Sequence, residues 1–238
     1  MDTTVPRAKP LSPSSIVLLL VLVALLSVAV HFWWDSALSY LTNYSEAGFR
    51  RYWPNRIWLV AHIAGGTLAL ALGPVQFWSG FKLRWPRAHR RLGYAYALGI
   101  LAGGGASFVL AVRSSMPDFG FSLFFLGIAW WVTLGMALVA IRNRRFDAHR
   151  DWMIRSYIVT FGFVTFRYVV ELDVFNGLGR SKYAAVGWVC WVLPLLLAEI
   201  FLHWRHVAPR KRDAADRTGS IGSGQGGAAS SGSTVTPR

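Results

Sequence analysis

Long apolar runs separated by short polar connections organise this chain. Six stretches, roughly residues 16–34, 57–78, 92–112, 119–141, 152–172 and 184–204, stay apolar over the about 20 residues that a helix needs to cross a bilayer. Barrel strands would alternate apolar and polar residues, so the continuous pattern argues against them. The pattern predicts an all-α fold, a six-transmembrane-helix bundle over residues 16–206. It is flanked by an N-terminal segment, 1–15, and by a tail, 207–238, rich in Gly, Ser and Thr. The tail has too little apolar surface to offset the entropy of ordering and is expected to be disordered. The first run could pass for a secretory signal, with Ser27-Val28-Ala29 as a cleavage site. It continues through His31-Phe32-Trp33-Trp34, longer than an ordinary signal core, and is read as a retained helix.

Charge then orients the bundle. Among 25 Lys and Arg, 17 lie in residues 1–15, 79–91, 142–151 and after Trp204, and 6 lie in the alternate connections. Basic loops stay on the cytoplasmic side, so both termini are expected in the cytoplasm. The net charge of +14 is thereby used up in loops and tail. No basic face is left to bind nucleic acid, and the expected partner is the lipid bilayer. Twelve Trp, most of them at run ends, suit the membrane interface. The single cysteine, Cys190, excludes an internal disulfide and a multi-cysteine metal site.

Polar groups inside apolar runs carry the remaining information, since each needs a partner in lipid. In the second run His62, Gly65, Gly66, Ala69, Gly73 and Gln76 share one helical face, and Pro74 is expected to bend the helix. In the fifth, His149, Ser156, Thr160 and Arg167 fall on one line. Arg155 lies on another face, at a depth similar to Glu199 in the sixth run, which suggests an ion pair. His62, Gln76, Arg155, Arg167 and Glu199 are thus expected to be buried polar groups, with Arg167 and Glu171 as i,i+4 partners. Gly99 and Gly103 form a GxxxG spacing suited to close helix packing, within the chain, with a membrane-protein partner or in a homo-oligomer.

His89 and His149 start the third and fifth runs in the matching contexts Ala88-His89-Arg90 and Ala148-His149-Arg150. One reading makes them axial ligands of a single haem b iron, with Arg90 and Arg150 meeting the propionates. The plainer reading has both imidazoles hydrogen-bonding backbone or lipid phosphate at helix starts. A zinc site on His62 and His31 lacks a third ligand. No catalytic triad or phosphate loop is visible, and nothing marks the chain as an enzyme or excludes it.

The run His62-Ile63-Ala64-Gly65-Gly66, Gly73-Pro74-Val75-Gln76-Phe77, Arg84, Pro86, His89-Arg90-Arg91-Leu92-Gly93 and Tyr96 resembles the DUF2306 family of bacterial membrane proteins. So do His149-Arg150-Asp151-Trp152-Met153-Ile154-Arg155-Ser156-Tyr157, Thr160, Thr165, Arg167, Trp188-Val189-Cys190-Trp191 and Ala198-Glu199. The likeness covers about residues 57–204. Tyr94 stands where that family usually has Arg, and Leu193-Pro194 replaces a Pro-Asn pair. The resemblance implies a polytopic helical protein of the cytoplasmic membrane, with no established activity. It also marks His62, His89, His149, Arg155, Arg167 and Glu199 as positions to test. A looser likeness, to haem bundles of the cytochrome b561 type, lacks a histidine in the fourth run to pair with His62. Three functions remain: a haem-dependent redox or haem-handling role, transport or binding along the polar stripes, and a non-catalytic role in a membrane complex.

Overall fold

A computed structural model describes residues 13–82 and 85–207. Most of the expected N-terminal segment, and the tail beyond Val207, lie outside the described residues. Every long element is helical: α1 Pro13–Phe32, α2 Arg56–Lys82, α3 Pro86–Val112, α4 Pro117–Arg142, α5 Phe146–Val169 and α6 Lys182–Val207. Past Phe32 the chain continues through a wide turn, Trp33–Ala37, and three short helical pieces to Asn55.

Local chemistry explains the boundaries. Pro86 and Pro117 occupy the first turns of α3 and α4, where the missing N–H costs nothing. Asp118 and Asp147 sit in the first turns of α4 and α5, and Arg142 ends α4, each sign favourable to the helix dipole. Between α4 and α5 the chain reverses at Arg144, in the left-handed region at φ 56°, with its N–H bonded to Ile141 O. So short a connection forces α4 and α5 to be antiparallel neighbours.

Among the described residues, five helical segments are long and apolar enough to cross a membrane: Leu19–Thr42, Glu46–Gly80, Pro86–Val112, Pro117–Arg142 and Asp173–Trp204. The sixth expected span is the long helix α5, which is not among these five segments. Its 24 residues give about 36 Å, enough to span, but Asp151, Arg155 and Arg167 lower its apolarity. Such a helix is tolerable in lipid only with its polar line turned inward.

The chain divides into two compact units, residues 1–198 and 199–238. In the first, α2 to α5 close into a four-helix ring in which each helix packs on the next and α5 returns to α2. α3 and α5 therefore lie on one diagonal, α2 and α4 on the other. Small residues draw α2 and α3 together: a Cβ on Gly65 would fall on Gly99 O and on the Gly103 backbone. The GxxxG spacing is thus used inside the chain. Around the ring, Ala69, Tyr96, Ile100, Trp130, Leu134 and Tyr157 form one buried core. α1 lies against both α2 and α5. α6 reaches α4 and α5 with its first half, Gly187 against Ser122 and Trp191 against Gly162. In the second unit the described residues are the last turns of α6, where Leu202 is buried.

Candidate functional site

Three histidines point into the ring, each tied by one nitrogen. At the end carrying the α2–α3 and α4–α5 connections, here the basic end, His149 Nδ1 lies 2.9 Å from Ala137 O of α4. A carbonyl only accepts, so Nδ1 carries the proton. His89 Nδ1 lies 2.9 Å from Ser79 Oγ of α2. The Ser79 hydroxyl donates to Gln76 O at 3.2 Å, which leaves its lone pair to accept from His89. In the opposite half, His62 Nδ1 donates to Gly103 O of α3 at 3.0 Å. All three imidazoles are thus held as the Nδ1–H tautomer, with the Nε2 lone pair left over.

His89 and His149 are on diagonal helices at the same end of the ring, each braced by the preceding helix. The two imidazoles are within electrostatic reach of each other. Gln76, which is buried, fixes the α2–α3 approach by donating from Nε2 to His89 O at 2.9 Å. Gly80 leaves room for the His89 ring, and Gly93 for the Gln76 amide. Of the flanking arginines, Arg90 is exposed. Arg150 reaches Asp147 at 3.2 Å and Asp151 at 3.8 Å, so its charge is already met by carboxylates.

Between the histidine levels, a closed polar network fills the axis. Trp130 Nε1 donates to Thr160 Oγ1 at 2.7 Å, and Thr160 donates to Ser156 O at 2.8 Å. Tyr96 OH lies 3.1 Å from Ser156 Oγ and 3.3 Å from Thr160 Oγ1. With Ser156 donating to Tyr96 and Tyr96 to Thr160, every hydroxyl and the indole N–H are satisfied. Above it, the His62 ring meets Trp130 and Phe163 edge-on, with centroids 6.3 and 6.1 Å away. Trp130 of α4 therefore occupies the position diagonal to His62, where a second histidine ligand would have to stand.

Other expected positions separate from this axis. Arg167 is exposed instead of buried, 3.4 Å from Glu171, because it lies in the last turn of α5, within reach of the helix end. Arg155 is half-buried, its guanidinium 4.7 Å over the Trp152 ring. Glu199 is exposed and belongs to the second unit. His31 Nδ1 lies 2.9 Å from Tyr168 OH, while His62 Nδ1 is bonded to Gly103 O. Among the described residues no group of three or more His, Cys, Asp and Glu could hold a metal ion. Cys190 is buried, its thiol 3.3 Å from Gly187 O.

Ser79, Ala137 and Trp130 were not singled out by the sequence. Ser79 follows Gln76 by three residues, a spacing that puts both on one helical face and could have flagged it. Ala137 acts through its carbonyl and leaves no trace in side-chain chemistry. Outside the ring, a pocket of about 190 Å³ lies between Ser115–Phe119 and Arg180–Ala184.

No curated protein and no solved structure matches this chain. A family model described as predicted membrane protein (DUF2306) matches residues 59–202, from α2 into α6. That stretch includes His62, His89 and His149 and excludes α1. The match covers more than half of the chain, and the chain belongs to the DUF2306 family of predicted membrane proteins.

Proposed function

We propose that this protein is a membrane redox or haem-handling protein carrying one haem b, held between His89 and His149. One observation carries the reading: two histidines at the same end of diagonal helices, each with Nδ1–H committed and Nε2 open. Ligating histidines characteristically donate their second N–H to a carbonyl or hydroxyl, which fixes the ring and raises its basicity. Ser79 and Ala137 O have that chemistry. A haem would supply one-electron chemistry at this end. His89 and His149 would hold it, and exposed Arg90 would meet propionate charge at the surface. Trp130 opposite His62 favours a single haem over the two of a b561-type relay. With 17 basic residues on the basic side against 6 opposite, the histidine pair would face the cytoplasm, both termini with it.

The test is an absorption spectrum of protein purified from cells supplied with haem precursor. A reducible low-spin b-type spectrum is expected, lost or turned high-spin in His89→Ala and His149→Ala and unchanged in His203→Ala. Folded, colourless protein would overturn the reading.

A further inference from the structure

We infer that His62 is the hydrogen-bond acceptor of a binding site for a flat, lipid-soluble ligand bearing a ring hydroxyl, of the phenol or hydroquinone class. The ligand would enter from the bilayer between α2 and α5. This goes beyond the haem reading and does not depend on it. The imidazole stands where all four ring helices converge. Its Nδ1–H is spent on Gly103 O, so Nε2 offers a lone pair and no donor. Trp130 and Phe163 both meet the imidazole edge-on. A neutral acceptor beside rings, at bilayer depth, selects an aromatic body with one O–H to give.

The route follows from the packing. Of the neighbouring pairs in the ring, α2 and α5 are the least closely packed. On α2, at about 100° per residue, Gly65 lies about 60° to one side of His62 and meets α3, while Gly66 and Gly73 lie to the other side. Gly73 there meets the Tyr157 ring of α5, whereas a Cβ on Gly66 would meet nothing within 4 Å. The seam is therefore unfilled one turn from His62. Phe163 lies beside it and remains 37% exposed.

α1 covers this seam. It touches both α2 and α5, and its Leu25 reaches the core formed by Ala69, Tyr96, Trp130 and Tyr157. Phe32 meets Phe163 edge-on at 6.4 Å, and His31 meets Tyr168 OH at 2.9 Å. This cover lies outside the residues that match the family. α1 is thus a lid over the gap, tied down near its end by one histidine–tyrosine contact, and it would move aside to admit a ring.

The experiment uses the full chain in nanodiscs, with protein-free nanodiscs as the partition blank. Tetramethylhydroquinone and its dimethyl ether are titrated, and binding is read by saturation-transfer NMR on the ligand. The hydroquinone should bind about tenfold more tightly, the value of one buried hydrogen bond. His62→Phe should erase that difference, and Gly66→Leu, which fills the gap and leaves His62 intact, should remove binding of both. Equal affinity for the two probes would overturn the proposal. So would discrimination that survives His62→Phe, or binding unchanged in Gly66→Leu. If His62→Phe does not fold, the Gly66→Leu result decides alone.

Discussion

Tyr157 on α5 donates its phenolic hydroxyl to the carbonyl of Leu70 on α2, at 3.2 Å. Leu70 O is four residues before Pro74, and is the acceptor that residue 74 would serve if it had an N–H. Proline orphans a carbonyl inside a membrane helix, and a tyrosine from the facing helix answers it. Gly73 makes the approach feasible, since a Cβ there would collide with the Tyr157 ring. Gly73, Pro74 and Tyr157 are one device, spread over two helices.

Tyr157→Phe keeps the ring beside Gly73 and leaves Leu70 O unanswered, a cost of about 1 kcal/mol. Pro74→Ala restores the helical N–H. In that background Tyr157→Phe should cost only a few tenths. Unfolding in a mild detergent titrated with a denaturing one measures the cycle. Equal costs in both backgrounds would show that the hydroxyl does not serve this carbonyl.

Thr160 is the hub of the axial network, accepting from Trp130 and Tyr96 and donating to Ser156 O. Thr160→Val matches its shape but leaves the buried indole N–H without an acceptor, at about 1–3 kcal/mol. Thr160→Ser retains the acceptor and should cost clearly less. The same unfolding titration separates them, and Thr160→Val no more damaging than Thr160→Ser would show that the hydroxyl is not what holds the indole N–H.

Adjacent glycines on α2 should behave oppositely. Gly65→Ala drives a Cβ into the Gly99 and Gly103 backbones, which cannot yield without parting α2 from α3, and overpacking costs about 1–3 kcal/mol. Gly66→Ala meets open space and gains helix propensity, so it should be neutral or stabilising by up to about 1 kcal/mol. Thermal unfolding of the two variants compares them directly. Similar losses would mean that α2 is rotated about its axis from the orientation described.

These particulars bound what the sequence could tell. Apolar runs set the helices, because lipid demands about the same length from each. The line through His149, Ser156 and Thr160 was legible because helical periodicity is simple arithmetic. Arg167, on the same line, is exposed all the same, since periodicity says nothing about where a helix leaves its bundle. The partners of the histidines were hidden for another reason. Ala137 O and Gly103 O are backbone atoms, and which carbonyl an imidazole meets depends on the ring order of four helices. Tyr157 answering the Pro74 gap needs the same knowledge.

Topology has a separate check. Reporters fused after Arg145 and Arg212 should report the cytoplasm, and fusions after Asn43 and Gly177 the exterior, given the distribution of basic residues. The informative site is Gly177, which follows α5, the helix with the lowest apolarity. A cytoplasmic signal there would mean that α5 does not cross.

The two braces proposed for the haem ligands differ in a way that mutation can exploit. His149 is held by a backbone carbonyl that no side-chain change removes, whereas His89 is held by the Ser79 hydroxyl. Losing such a partner typically weakens metal binding about 10- to 100-fold. If a haem is held there, Ser79→Ala should loosen His89 from the iron in a fraction of the molecules while His149 stays bound, giving a mixture of low- and high-spin ferric haem. Ser79→Thr keeps the hydroxyl and should restore the low-spin form. Electron paramagnetic resonance of the oxidised protein distinguishes the two spin states. A Ser79→Ala spectrum identical to that of the unaltered protein would mean that the His89 ring is oriented by packing against Gly80, and that the hydroxyl is incidental.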